Sequence, residues 1–148
     1  MGTRLGLLLA AVLASGCATT LEAVIRSKSE GKAVTYPIPK ALAFVTAQSV
    51  LYECAQTNVD LYRSEGWMTV TAGSSTDTTF IVVWVDPGET AGESVVTAIC
   101  RKKSGAQLRT MMTDQGFHDR FAAALRERKK RRGEVEPEPE PEAAEGAK

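Results

Sequence analysis

Few side chains in this sequence combine the types and spacings that chemistry requires. Its single histidine, His118, stands beside Asp119 and Arg120, and an imidazole with a carboxylate neighbour can move a proton. A lone histidine among charged neighbours on a helix is ordinarily a surface residue, and that is the expectation for His118. Asp77, Asp86, Glu89 and Glu93 fall in turn segments. Their spacing matches no calcium loop, so solvated turn carboxylates are expected. The histidine, cysteines and carboxylates supply no zinc set at usable spacing. No phosphate-cradling glycine loop, nucleophile elbow or Cys-x-x-Cys occurs. The sequence therefore predicts a protein that is not an enzyme, with no catalytic residue, no metal and no cofactor.

The three cysteines are Cys17, Cys54 and Cys100. Cys17 closes a distinctive stretch. Arg4 supplies a positive start, residues 5–15 are an uncharged, mostly aliphatic run, and the small residues Ala14, Ser15 and Gly16 precede the cysteine. This is the layout of a secretory signal, and the run is too short to span a bilayer, which takes about 20 apolar residues. Leu13-Ala14-Ser15-Gly16-Cys17 resembles the lipobox of bacterial lipoproteins, with Ala14 where leucine is commonest. The resemblance implies a signal peptide over residues 1–16, cleavage before Cys17, and acylation of the Cys17 thiol and new amino group with palmitate-type chains. Each buried CH₂ contributes about 0.8 kcal/mol, so several chains anchor effectively permanently. Ala18 follows the cysteine. In a two-membrane cell the absence of aspartate there implies the outer membrane, with the domain in the periplasm or at the cell surface.

An exported chain meets an oxidising compartment, which makes Cys54 and Cys100 a candidate disulfide pair. A bridge would close a long loop and stabilise the fold by about 4 kcal/mol. The alternative is two buried thiols packing as small apolar residues.

The formal net charge of zero hides an asymmetry. From Cys17 to Gly133 there are sixteen Lys/Arg against twelve Asp/Glu, whereas residues 134–148 hold six Glu and one Lys. A mildly basic domain thus carries an acidic tail. A surplus this small, on an exported chain, does not point to nucleic acid.

The elements that must position these residues follow from periodicity. Residues 17–38 read as a tether, with a short edge strand over 33–36 ended by Pro37 and Pro39. Phe44, Ala47, Val50, Leu51 and Cys54 recur at helical spacing and predict a helix over 39–56. Alternation predicts strands over 59–63, 67–72, 78–86 and 94–102, joined by short turns as an antiparallel meander. Gly66 stands where the first turn accommodates a positive φ. The run Phe80–Val85 is apolar on both sides, as a central strand would be. Thr113 or Asp114 caps a second helix over 114–131. Gly133 ends it, and the Glu-Pro alternation that follows cannot build a core, so 133–148 is expected to be a disordered tail. The fold class is α+β: one domain over 39–132, with a helix, a meander of about four strands and a second helix. This layout loosely resembles small modules of bacterial envelope lipoproteins.

Two surface features remain. The cations from Arg126 to Arg132 complement the dipole of the last helix. They also offer contacts for lipid phosphates or an anionic cell-wall polymer, or could fold the acidic tail back; a solvated helix end is the plainer account. Trp67, Phe80 and Trp84 form a candidate interaction face, unless the second helix covers them. The functional expectation is a membrane-anchored envelope lipoprotein acting as a non-enzymatic binding or structural accessory module. Its partners would be the membrane through Cys17 and an envelope protein or anionic polymer. The alternative is a small-ligand or enzymatic domain with a pocket between helix and sheet.

Overall fold

The computed structural model describes residues 19–55, 59–107 and 110–133. The predicted signal peptide, Cys17 and the acidic stretch 134–148 lie outside the described residues.

The chain begins with a short helix, α1 (Leu21–Arg26), and a 3-10 turn over Lys28–Glu30. Then come strand β1 (Lys32–Tyr36), helix α2 (Lys40–Ala55), strands β2 (Asp60–Tyr62), β3 (Trp67–Ala72), β4 (Thr79–Pro87) and β5 (Ser94–Lys102), and helix α3 (Asp114–Arg131). The architecture is α+β, and every strand pairing is antiparallel, in the order β1-β5-β4-β3-β2. The four-strand meander is present, and β1 adds a fifth strand by crossing back to lie beside β5. The segment 17–38, predicted as a tether, is instead folded from Thr19 onward. Leu21, Val24 and Ile25 give α1 an apolar stripe, and Thr20 caps it by accepting from the Ala23 amide at 3.2 Å.

β4 is the middle strand, and residues 79–85 are all buried. Successive side chains point to opposite faces. Ile81, Val83 and Val85 join Met68, Val70, Val96 and Ala98 on one face. There α2 contributes Ala43, Ala47, Val50 and Leu51, and α3 contributes Phe117 and Phe121. The alanines let α2 approach the sheet closely. Phe80, Val82 and Trp84 join Ile99 on the other face, against Val24 with Leu21 and Ile25 of α1. The sheet is thus covered on both sides: two helices on one face, and on the other α1, in the segment predicted as a tether.

Local signals set the element ends. Pro39 precedes α2, and its carbonyl accepts from the Ala43 amide at 3.0 Å. Thr113 caps α3 by accepting from the Gly116 amide at 3.0 Å. Gly66, in the β2–β3 turn, has φ +77°. Its amide donates to the Tyr62 carbonyl at 2.9 Å, and its carbonyl accepts from the Val85 amide at 2.7 Å. A Cβ there would stand 2.9 Å from the Val85 carbonyl oxygen. Gly66→Ala combines left-handed strain with that clash and should destabilise the fold by about 1–3 kcal/mol. The measurement is a lower denaturant midpoint at unchanged slope.

Candidate functional site

The sheet has two chemically distinct ends. Lys102 of β5 pairs with Thr79 of β4 at one end, and Ser94 pairs with Tyr36 and Pro87 at the other. The Thr19 amide donates to the Lys103 carbonyl at 2.9 Å, which places the start of the described chain at the Thr79/Lys102 end. α3 starts near the same end. Asp114 accepts from the Cys100 amide at 2.7 Å and pairs with Arg101 at 3.4 Å.

α3 then runs antiparallel to α2. Arg120 donates to the Cys54 sulfur at 3.4 Å, and Arg128 donates to Ser49 Oγ at 2.9 Å one and a half turns earlier in α2. Its last turns therefore stand past Tyr36, beside Pro37 and Ile38. A nine-residue strand is about 30 Å long. The cations of the α3 terminus are thus carried to the far end of the sheet from Thr19.

At this far end a groove of about 160 Å³ has Pro37, Ile38, Leu42 and Leu125 as its apolar floor. Arg128, Lys129 and Arg132 form its cationic rim. An adjoining groove of about 220 Å³ shares Pro37, Ile38, Leu125 and Lys129 and adds Tyr36 and Arg126. Consecutive cations made the rim readable in sequence. The floor was not readable, because it is gathered from the β1–α2 connection, α2 and α3.

His118 is not on the surface as predicted; it is 3% exposed. Nε2 lies 2.9 Å from the Lys32 carbonyl, and Nδ1 lies 2.9 Å from the Tyr36 hydroxyl. A carbonyl only accepts, so Nε2 carries the proton, and Nδ1 accepts from Tyr36. Burial holds the imidazole below its ordinary pKa, and the Lys32 ammonium acts in the same direction. The bond to the Lys32 carbonyl and the charges of Asp114 and Asp119 oppose this. Burial, with Asp119 adding, pushes the Tyr36 phenol up to about 12, so it stays a donor. His118 thus occupies a backbone acceptor on the edge strand β1 and fastens α3 across it. This is a structural role.

The predicted interaction face is mostly interior. Phe80 and Trp84 are buried with Val24, and Trp67 is half-buried and stacked on Tyr62 at 3.8 Å between ring centroids. The cover is α1, not the second helix. The turn carboxylates behave as solvated residues or ion-pair partners; Asp86 bonds Lys28 at 2.7 Å. Among the described residues no group of three or more His, Cys, Asp or Glu could hold a metal ion. No described helix is long and apolar enough to cross a membrane.

Cys54 and Cys100 both reach the α2/α3 core cluster and are free thiols. Burial, then Asp114, pushes Cys100 up to about 12. Burial also raises Cys54, partly offset by Arg120.

Comparison with known proteins found no matching family model, no matching curated protein and no matching solved structure.

Two outcomes are expected. His118→Phe leaves the Tyr36 hydroxyl and Lys32 carbonyl without their partner and should cost about 1–3 kcal/mol. Because the folded imidazole binds its proton more weakly than the unfolded one, the wild-type His118 contribution is complete above about pH 6.5. It declines as pH falls below that value toward the lower folded pKa. Denaturation midpoints across this window should show the decline in wild type and its loss in His118→Phe. In iodoacetamide labelling at pH 8, Cys54 should react before Cys100, and Cys100 only after unfolding.

Proposed function

We propose that this chain is a lipid-anchored envelope protein, attached through Cys17 to the outer membrane. Its folded unit would serve as a non-enzymatic binding or structural module. The lipobox-like sequence supports the anchor. The observation that carries the reading of the domain is the bond from the Thr19 amide to the Lys103 carbonyl at one end of the sheet. Two residues reach at most about 7 Å, so a lipid on Cys17 would hold that end of the domain against the bilayer. The cationic grooves would then face away from the anchoring membrane, toward an envelope protein or an anionic polymer.

A pocket between helix and sheet draws little support. Ala43, Ala47, Val50 and Leu51 of α2 meet Met68, Val70, Ile81 and Val83 across that interface, all at most 1% exposed. The space is filled by apolar side chains.

Metabolic labelling with an alkyne palmitate analogue tests the anchor. The wild-type chain should incorporate the label and sediment with membranes. Cys17→Ser should lose both properties while the folded domain keeps its circular dichroism spectrum. An unlabelled wild-type chain would refute the reading.

A further inference from the structure

We propose that the grooves at the end of α3 are a binding site for an acidic, proline-alternating segment, and that their occupant is this chain's own stretch Glu134–Glu142. The inference stands apart from the lipid anchor, because it uses only the far end of the domain.

The chemistry of the grooves and of the stretch is complementary. The floor is apolar, made by Pro37, Ile38, Leu42 and Leu125, and the rim is cationic. The stretch reads Glu-Val-Glu-Pro-Glu-Pro-Glu-Pro-Glu. Its prolines and valine suit the floor, and its glutamates suit the rim. A lipid or polymer phosphate would satisfy only the rim.

The charges are poised for such an occupant. Arg128 is held by Ser49, and Arg131 pairs with Glu127 at 3.2 Å. Among the described residues Lys129, Lys130 and Arg132 have no carboxylate partner. The free carbonyls of the helix terminus disfavour an anion along the axis itself, so an acidic segment is better placed beside the helix.

The chain leaves the helix in a way that permits this. Gly133 has φ +74°, and its amide donates to the Lys130 carbonyl at 3.1 Å. A left-handed residue at this position turns the backbone off the helix axis. The described chain thus ends at Gly133 directed off the helix axis.

The lengths agree as well. From Gly133 back to Leu125 is about 12 Å along the helix. Extended polyproline-like chain covers that in about four residues at 3.1 Å each, and with three residues per turn an alternating Glu-Pro stretch presents both glutamate and proline on every side. Cations one helical turn apart repeat at about 5–6 Å. With no linker between groove and segment, the effective concentration of the segment is in the millimolar range or above, so weak contacts suffice.

The test is zero-length carbodiimide coupling of the full chain in detergent at low salt, read by peptide mass mapping. The expected products join Glu134 or Glu136 to Lys129 within one chain, and 0.5 M salt should abolish them, as expected for exposed charges. A variant with Pro137, Pro139 and Pro141→Ser keeps every charge and should couple several-fold less. A variant with Glu134, Glu136, Glu138, Glu140 and Glu142→Gln should have its Lys129 amine acetylated several-fold faster than wild type. Equal acetylation rates, or undiminished coupling in the serine variant, would overturn the proposal. So would coupling found only between isotopically distinct chains in a mixture, which would make a second copy the occupant. Lysine protection that appears only when a soluble polyanion is added would overturn it too, by showing an empty groove open to an external partner.

Discussion

The fold depends on one constraint: the middle strand is apolar on both faces. Ile81, Val83 and Val85 point one way, Phe80, Val82 and Trp84 the other, and all are buried. Each such side chain contributes about 1.5–3 kcal/mol when removed from water, so neither face can be left open. Two helices satisfy one face. The other is satisfied by a six-residue helix at the start of the described chain. The alanines of α2 and the crossing back of β1 to β5 both serve the same enclosed sheet.

α3 connects this core to the surface chemistry. Phe117 and Phe121 enter the core, while Asp114 and His118 satisfy backbone groups of β5 and β1. The β1 edge is one of the two open edges of the sheet, and exposed edges invite unwanted pairing. At the opposite edge β2 is only three residues long, a different solution to the same problem. Fastening α3 along β1 also fixes its direction, and with it the location of the cations at the end remote from Thr19.

Much of this was legible in the sequence, for identifiable reasons. The strands over 67–72 and 94–102 and the helix over 114–131 have the bounds that alternation and capping predicted. β4 was recognisable as central because Phe80–Val85 is apolar on both sides. α1 was missed because Leu21, Val24 and Ile25 make too brief a stripe to register as periodic, and they sit in a polar neighbourhood. The burial of His118 was missed because its partners, Lys32 and Tyr36, lie more than eighty residues away. Trp67, Phe80 and Trp84 were named as one candidate face, but periodicity is silent on what covers a face. The cationic rim was visible as consecutive residues, whereas Ile38, Leu42 and Leu125 meet only in the folded chain.

The position of α1 has a mechanical consequence. Tension on the chain before Thr19 runs first through the Thr19–Lys103 hydrogen bond and then into the contacts of Leu21, Val24 and Ile25 with the sheet. Those contacts are few and lie in series, so they yield by peeling, one after another. The five-strand ladder beyond them shares its load across many parallel bonds. A pull from that side would therefore lay bare Trp84 and Phe80 well before the sheet itself failed, converting force into a newly wetted aromatic surface.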